Sequence, residues 1–374
     1  MDVRRKVRQW IKTIMRRLLL PALYRISCAM APSIQEDLVL FADARHKEFP
    51  EDMRLVSAQM QQEGFQVVSW NHDFSELSFG ESLRAMLGFM GYYARARYVF
   101  LCDYYLPVVS VRKRKGTKVI QLWHACGAYK KFGYDAKDDV GYVKSQDMFQ
   151  NFDLVAVSAE RCRDIYANAF HLPKERVQAL GVSRTDLYFS NSYRKQCREE
   201  FFALHPEAEG KKILLWAPTF RQNANEAKIV GIEEMEWLSR KLPPEWHIVK
   251  KLHPHAEKAY GLSDSKIPTE RLYEVADVLV TDYSSVVFDF ALTGKPMILF
   301  APDYHEYGQK RGFYLELKEL PARLVTEPEE LLRLVVSGDY QIPKEQYQEF
   351  VNRHLAMCDG KATERIVRYC MRME

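Results

Sequence analysis

The sequence predicts an α/β fold made of two Rossmann-like domains. Two observations carry the prediction: short apolar runs alternate with helical patterns, and the series restarts once, after residues 182–195. Strands that alternate with helices form parallel sheets built from βαβ units. The length agrees, because 374 residues correspond to about two domains of roughly 150 residues each.

The first series begins at residue 36. Its apolar runs, which read as buried strands, are Asp37–Ala42, Phe65–Trp70, Tyr98–Cys102, Lys118–Trp123, Phe152–Val157 and Val177–Leu180. The helical patterns between them include Asp52–Glu63, Glu81–Ala94 and 158–170. We expect this series to form an N-terminal, acceptor-side domain over residues 34–185.

The second series predicts a C-terminal domain over residues 190–345. Its predicted strands are Lys212–Trp216, His247–Leu252, Val278–Thr281 and Met297–Phe300. Its predicted helices are Tyr193–Leu204, Ile232–Lys241, Ser285–Leu292 and a stretch near 327–336. A helical pattern over 344–372 predicts closing helices in a C-terminal segment, residues 346–374.

Composition excludes several classes of protein. Hydrophobic residues make up 47% and charged residues 28% of the chain, which is typical of a soluble globular protein and not of a disordered or multi-spanning one. The seven cysteines form no C-x-x-C pair, so the sequence indicates reduced thiols rather than a zinc ribbon.

Charge is concentrated at the N-terminus. Residues 1–25 carry eight basic groups and one acidic group, a net of +7, whereas the whole chain has a net of +4. The other 349 residues therefore have a net of −3, which disfavours a nucleic-acid-binding body.

A basic amphipathic helix is predicted within residues 1–30. Apolar residues recur at helical spacing, and basic residues fall largely on the other side, which is typical of a helix lying on an anionic membrane surface. The uncharged runs are too short to span a membrane, and Pro21 is expected to interrupt the helix. A helix packed on the protein's own body, a signal peptide and a nucleic-acid arm are the alternatives. The apolar residues are Val3, Val7, Trp10, Ile11, Ile14 and Leu18.

Chemically active residues follow the predicted strands, where parallel α/β sheets bind their ligands. His124 and His253 each follow a strand and are candidates for a general base, although each could equally be structural. Arg221 follows another strand and could hold a phosphate through its planar guanidinium, or be a surface residue. Ser284 and Ser285 precede an apolar helix, where serines cap the helix and phosphates bind.

Several motifs occur in a fixed order between residues 120 and 300. They resemble the CDP-glycerol glycerophosphotransferase family of teichoic-acid synthesis, and the short length is similar to that of its priming members. The block from Ala276 to Asp289 is the most diagnostic. The motifs are Gln121-Leu122-Trp123-His124 with Lys130 and Gly133, Gly181-Val182-Ser183-Arg184-Thr185-Asp186, Ala217-Pro218-Thr219-Phe220-Arg221, Lys251-Leu252-His253-Pro254 and Ala276-Asp277-Val278-Leu279-Val280-Thr281-Asp282-Tyr283-Ser284-Ser285-Val286-Val287-Phe288-Asp289.

The resemblance implies a GT-B-like fold, with two Rossmann-like domains facing across a cleft and CDP-glycerol bound chiefly by the C-terminal one. It implies no cofactor and no metal. It matches the two functional histidines of the family to His124 and His253, and its phosphate-binding arginine to Arg221. Many members have Gly-Thr-Pro after the first histidine, whereas this chain has Ala125-Cys126-Gly127, which leaves the identity of the polyol open.

The expected reaction forms a phosphodiester with release of CMP. An acceptor hydroxyl of a lipid-linked saccharide would attack the β-phosphorus of CDP-glycerol while His124 takes its proton. His253 and Arg221 would stabilise the pyrophosphate. The expected location is peripheral, at the cytoplasmic face of the membrane, through residues 1–25. The expected substrate- and phosphate-binding residues are Lys130, Thr219, Arg221, Asp282, Ser284 and Ser285.

Other functions remain open at this stage. The donor could carry ribitol phosphate, or the protein could be a GT-B nucleotide-sugar glycosyltransferase, since a fold does not determine chemistry. His124-x-Cys126 and His253-x-His255 could supply zinc ligands to a hydrolase, and Cys126 could be a nucleophile. A membrane-bound adaptor that uses only the N-terminal helix is the non-enzymatic alternative.

Overall fold

The computed structural model describes residues 10, 13–31, 33–74, 76–136, 148–221, 228–252, 265–304 and 312–373. The chain divides into two compact units. Unit 1 comprises Met1–His124, Phe132–Asp186 and Met357–Glu374, and unit 2 comprises Ala125–Lys131 and Leu187–Ala356. Residues 125–131 therefore belong to unit 2, although the residues on either side of them belong to unit 1. Residues 357–374 belong to unit 1, although the residues before them belong to unit 2.

Unit 1 contains a parallel sheet in the order β2-β1-β3-β4-β5-β6. Its strands are β1 (Gln35–Asp43), β2 (Gln66–Asn71), β3 (Ala96–Leu101), β4 (Lys118–Gln121), β5 (Phe152–Val157) and β6 (Val177–Ala179). Its described α-helices are Leu20–Met30, Glu51–Gln62, Phe79–Tyr93, Leu106–Val109, Glu160–Phe170 and Ala362–Met371. The predicted βαβ series is confirmed in this unit.

Local sequence explains where these helices begin. Ser78 and Glu81 form a reciprocal capping box, which satisfies two backbone donors at the start of Phe79–Tyr93. The helix therefore begins two residues before its predicted start.

In the core, the rings of Phe41 and Phe100 from neighbouring strands stack with centroids 4.8 Å apart.

The helix Ala362–Met371 completes the core of unit 1, although it comes from the other end of the chain. Ile366, Val367 and Cys370 are fully buried against the sheet. Asp186, the last residue of the Gly181–Asp186 motif, accepts hydrogen bonds from the backbone N–H groups of Ala362 (2.9 Å) and Thr363 (2.8 Å). This motif therefore supplies the N-terminal cap of a helix that follows it by about 180 residues.

Unit 2 contains a second parallel sheet in the order β10-β7-β11-β12-β13. Its strands are β7 (Lys212–Ala217), β10 (Trp246–Lys250), β11 (Val278–Thr281), β12 (Met297–Phe300) and β13 (Arg323–Val325). Its described α-helices are Asn191–Leu204, Ile232–Lys241, Thr269–Leu272, Val286–Ala291, Pro328–Ser337 and Lys344–His354. The predicted α/β class is confirmed by the two parallel sheets.

Two features of unit 2 differ from the sequence prediction. A short antiparallel pair, β8 (Phe220–Arg221) and β9 (Lys228–Ile229), was not expected, and neither was β13. The predicted closing helices over 344–372 are Lys344–His354 and Ala362–Met371, and Gly360 has φ = 84° in the connection between them.

The N-terminal helical region continues through Pro21, contrary to the prediction. A π-helical turn, Met15–Leu19, leads into the α-helix Leu20–Met30, which places Pro21 in its first turn. Proline has no N–H to donate, and Pro21 lies where the hydrogen-bonding pattern changes from π to α. Residues 1–9 and 11–12 of the predicted amphipathic stretch lie outside the described residues. Among the described residues, no helix combines the length and apolar character needed to cross a membrane.

Candidate active-site residues in the two units

In unit 1, three neighbouring strands end beside one another and carry polar side chains there. Asp43 is the last residue of β1, Asp103 comes shortly after β3, and His124 shortly after β4. Because β3 pairs with both other strands in parallel, the three strand ends share one edge of the sheet. His124 therefore lies where the strand-end rule places a ligand-binding residue.

An unusual backbone turn presents His124 to solvent. Trp123 has φ = 59°, a left-handed conformation that is rare for a bulky residue. Its N–H donates to the side-chain oxygen of Gln121 at 2.9 Å, and its ring packs against Phe132 and Phe170 at 5.3 and 5.1 Å. The packed indole fixes the turn, and the His124 side chain that follows remains 43% exposed.

The contacts of His124 determine which ring nitrogen carries the proton. Its Nδ1 lies 3.3 Å from the carbonyl oxygen of Cys102 and 3.9 Å from a carboxylate oxygen of Asp103. Both oxygens can only accept, so in the neutral imidazole these contacts favour the tautomer with the proton on Nδ1 and the lone pair on Nε2. His124 is thus oriented to take a proton at Nε2.

Two carboxylates that the sequence analysis did not single out lie at the same strand ends as this histidine. Asp103 also pairs with Arg45 at 2.7 Å. Asp43 is buried and accepts hydrogen bonds from the N–H of Arg45 (2.8 Å), from Nδ1 of His46 (2.9 Å) and from the thiol of Cys102 (3.3 Å). The strand-end rule that found His124 applies equally to Asp43 and Asp103.

The contact between Asp43 and His46 shifts the pKa of both groups. Burial by itself would raise the pKa of Asp43, but the hydrogen bonds from His46 and the backbone of Arg45 outweigh it and lower that pKa. The hydrogen bond to Asp43 raises the pKa of His46. The pair is therefore ionised over a wider pH range than two isolated side chains would be.

In unit 2, Asp282 organises the backbone at the ends of β7 and β11. Its Oδ1 accepts from the N–H of Thr219 at 2.8 Å and from the N–H of Tyr283 at 2.6 Å. Its other oxygen lies 2.9 Å from Nη2 of Arg221. Asp282 is only 2% exposed, so its carboxylate shapes the loops rather than facing solvent.

Arg221 is held by two carboxylates. Its Nε and Nη2 donate to both oxygens of Asp303 at 2.7 and 3.0 Å, and Nη1 donates to the carbonyl of Thr219 at 2.6 Å. The guanidinium lies 5.0 Å from the ring centroid of Tyr283. Burial would lower the pKa of Arg221, but the bonds to Asp303 and Asp282 raise it. Asp303 follows β12 and is a further strand-end residue that sequence reasoning missed.

Ser284 and Ser285 lie at the start of the short helix Val286–Ala291. The Ser284 hydroxyl accepts from the N–H of Val286 at 3.4 Å, so Ser284 provides the expected cap. Ser285 occupies the cap position with helical backbone angles and no side-chain cap bond. Within the described part of the chain, the Ser285 hydroxyl makes no hydrogen bond, which leaves it available to a ligand.

Lys130 belongs to the segment 125–131 of unit 2. The N–H of Lys131 donates to the carbonyl of Gly312 at 3.3 Å, which fixes the segment on this unit. The Lys130 ammonium then lies 3.4 Å from the hydroxyl of Thr219. A cation and a hydroxyl are thus brought together beside the loop that Asp282 holds.

The same segment contains the cysteine that follows His124 in sequence. The Cys126 thiol is 1% exposed and lies 3.6 Å from Asp289. A buried thiol beside a carboxylate is a poor nucleophile, which disfavours the covalent alternative. The next residue, Gly127, adopts φ = 63°, and a Cβ there would lie 2.3 Å from the buried ring of Phe288.

The structure thus brings Lys130, Thr219, Arg221 and Asp282 together in unit 2 and places His124 at the strand ends of unit 1. The second predicted histidine, His253, lies outside the described residues. His255, the other member of the alternative zinc motif, does so too.

Comparison with known proteins identifies the family. Residues 22–372 match the model of the CDP-Glycerol:Poly(glycerophosphate) glycerophosphotransferase family. A teichoic acid ribitol-phosphate primase of Bacillus spizizenii is 29% identical over 361 residues, 92% of each chain. A teichoic acid glycerol-phosphate primase of Bacillus subtilis is 29% identical over 291 residues, 72% of each chain.

Solved structures share the fold. A variant of the wall teichoic acid polymerase TagF, soaked with CDPG, aligns with a TM-score of 0.77 at 20% identity over 98% of this chain and 97% of its own. A UDP-GlcNAc 2-epimerase from Neisseria meningitidis aligns with a TM-score of 0.54 at 13% identity, over 91% of this chain and 100% of its own. With the motif order and the match over residues 22–372, the chain belongs to the CDP-glycerol:poly(glycerophosphate) glycerophosphotransferase family.

Proposed function

We propose that the protein transfers glycerol phosphate from CDP-glycerol to a hydroxyl of a membrane lipid-linked saccharide and releases CMP. The observation that carries the proposal is the exposed His124, whose Nδ1 lies beside the carbonyl oxygen of Cys102 and the carboxylate of Asp103. It occurs in a chain that matches this family over residues 22–372. Ribitol phosphate is the second candidate cargo, because the relative that matches 92% of the chain is a ribitol-phosphate primase.

In the proposed reaction, the acceptor oxygen attacks the β-phosphorus of the donor. A new phosphorus–oxygen bond forms, the pyrophosphate bond breaks, and the electron pair leaves with CMP. His124 Nε2 takes the hydroxyl proton as the bond forms. By the family resemblance, His253 stabilises the leaving phosphate. Phosphoryl transfer of this kind depends mainly on positioning and electrostatics.

We assign the predicted phosphate-site residues two different roles. Lys130, Ser284 and Ser285 would contact the diphosphate, because each is only partly buried. Thr219 is buried, and its hydroxyl would hold the Lys130 ammonium in place at 3.4 Å. Arg221 and Asp282 are buried and bonded to each other. They would act as positioning residues that hold the Thr219 and Tyr283 backbone in place. Arg221 has no positive charge left for a phosphate, because its guanidinium faces the carboxylates of both Asp282 and Asp303.

Turnover with a panel of CDP-polyols and a lipid-linked disaccharide tests the proposal. We expect CMP release with CDP-glycerol or CDP-ribitol and not with UDP-sugars. The variant His124→Ala should lose about 10²–10⁴-fold in turnover, as expected for removal of a general base. His171→Asn is the matched control, because asparagine tolerates the left-handed backbone (φ = 52°) at that position. Near-wild-type turnover of folded His124→Ala would reject the role.

We further propose that the N-terminal helical region rests on an anionic membrane surface. Leu20 and Tyr24 are buried within unit 1, whereas Leu18, Ile26 and Met30 are 67%, 56% and 81% exposed. These three residues recur at helical spacing on the outward face. The surplus of basic residues in 1–25 would add about 1 kcal/mol for each residue near the surface.

Co-sedimentation with liposomes of defined charge tests this membrane contact. We expect the full chain to bind anionic liposomes and to be released as salt rises, because screening shortens the reach of the charges. The variant with Leu18, Ile26 and Met30 changed to serine should bind more weakly. The matched control changes the exposed Leu204 and Val336 of unit 2. Equal binding by both variants would exclude this helix as the anchor.

A further inference from the structure

Three side chains of unit 2 form a cluster away from the residues discussed so far. They are His205, Glu207 and His247, and one ligand atom from each lies within 4.8 Å of the others. A Glu207 carboxylate oxygen lies 3.3 Å from Nδ1 of His205 and 3.8 Å from Nε2 of His247. His247 is near the amino end of β10, whereas Thr219 and Asp282 follow the carboxyl ends of their strands. In a parallel sheet these are opposite edges.

The spacing of the three atoms suits a metal ion. Zn²⁺ binds imidazole nitrogen and carboxylate oxygen at about 2.0–2.2 Å in a tetrahedral arrangement, which separates neighbouring ligand atoms by about 3.3–3.6 Å. The two measured separations, 3.3 and 3.8 Å, are close to that value. Small side-chain rotations would bring all three atoms onto one ion.

The two imidazoles are held in place by rigid elements. His205 follows the helix Asn191–Leu204, and its N–H donates to the carbonyl of Phe201 at 2.8 Å. Its ring stacks on that of Phe201, with centroids 4.8 Å apart, and the residue is 8% exposed. His247 is fixed by pairing with Ile213 of β7. Ligands on preorganised elements lose little entropy when they bind an ion.

The Glu207 carboxylate supplies the negative charge of the cluster, and it lies on the side of the cluster that is open to solvent. The Glu207 side chain is 57% exposed, so solvent can occupy a further coordination position. An ionised carboxylate is the form that binds metal.

We propose that His205, Glu207 and His247 bind a divalent transition-metal ion, and that Zn²⁺ suits this donor set best. The ion would join β10, an edge strand, to the turn that follows the helix Asn191–Leu204. Its role is to stabilise this edge of unit 2, since it lies at the edge of the sheet opposite to Thr219 and Asp282. Two imidazoles and one carboxylate with an open position are a common donor set for such ions.

Calorimetric titration of tag-free, chelator-treated full-length protein with Zn²⁺ tests the proposal. We expect one equivalent to bind and the thermal unfolding midpoint to rise with Zn²⁺, because an ion that binds only the folded state stabilises it. Glu207→Ala should weaken binding at least about tenfold, since even outer-shell changes cost 10–100-fold. Glu209→Ala removes the same charge from an exposed residue two positions away and should bind as the wild type does.

A second variant and a spectroscopic probe keep the test independent of folding. His247→Ala should also lose binding, and Co²⁺ added to the wild type should give visible absorption that both ligand variants lack. Absence of stoichiometric Zn²⁺ binding by the wild type would overturn the proposal. So would equal binding by the wild type, Glu207→Ala and His247→Ala, or a Zn²⁺-independent unfolding midpoint. The cluster would then be an ion-pair network alone.

Discussion

The two ring nitrogens of His124 have different surroundings, and this difference determines which nitrogen can take a proton. The carbonyl of Cys102 and the carboxylate of Asp103 face Nδ1, which leaves Nε2 as the basic position. Asp103 does not touch the reacting atoms in this arrangement. It is a positioning residue, and it also holds Arg45 at 2.7 Å.

Replacing Asp103 with asparagine tests this positioning role. We expect Asp103→Asn to reduce kcat by about 10–100-fold and to change KM little, because the orientation of the base matters most in the transition state. Steady-state CMP release measures both constants. Asp164→Asn, which neutralises an exposed carboxylate of the same unit, is the control. A change confined to KM would contradict the assignment.

The Asp43–His46 pair should make stability depend on pH. The pKa of His46 is raised from 6.5, so its contribution is fully present below about pH 6.5 and is lost as pH rises through the raised value. The pKa of Asp43 is lowered from 3.8, so its contribution is lost only when pH falls below that range. Urea unfolding of wild type and His46→Gln should therefore differ more at pH 5 than at pH 9. An equal difference at both would contradict the ion pair.

At the scale of the element, the segment 125–131 depends on a glycine. Gly127→Ala adds a Cβ at 2.3 Å from the buried ring of Phe288 and requires φ = 63° from a residue with a side chain. We expect the free energy of unfolding to fall by about 2–5 kcal/mol, from backbone strain and overpacking together. Gly294→Ala is the control, because Gly294 has φ = 70° and open space around it. Equal losses in the two variants would show that the contact with Phe288 contributes nothing.

Elements with long apolar runs could be predicted from sequence, whereas the short strands β8, β9 and β13 could not; the three-residue β6 is the short strand that was predicted. β1, β5 and β7 have continuous buried stretches, which is typical of parallel strands covered on both faces. β13 has three residues, of which only Val325 is buried, and β8 has two. Such segments carry no periodicity, because tertiary pairing alone forms them.

Some residues of the candidate site could be predicted from sequence, and the residues that contact them could not. The positions of His124 and Asp282 follow from a local rule, since each comes directly after an apolar run. The partners of these residues do not, because Asp103 meets His124 and Asp303 meets Arg221 only through the order of strands in each sheet. A single sequence does not contain that order.

For the whole molecule, the interleaving of the two units predicts an effect of truncation. Removal of residues 357–374 should expose the core face that Ile366, Val367 and Cys370 cover. We expect limited proteolysis with mass spectrometry to show cleavage within unit 1 first. The milder variant Asp186→Ala removes only the cap of that helix and should cost about 0.5–2 kcal/mol. An unchanged cleavage pattern in the truncated chain would contradict the prediction.

The same interleaving fixes an order of events at the ribosome. Unit 1 contains residues 1–124 and 132–186, but its core also includes a helix from residues 362–371. Unit 2 needs only residues 125–131 and 187–356, so it can close first. At about 5–20 residues per second, the sheet of unit 1 waits roughly 10–35 s for its last helix while residues 187–356 are added. During that interval we expect its apolar face to be open to chaperones and to other nascent chains, and unit 1 to complete its core after unit 2.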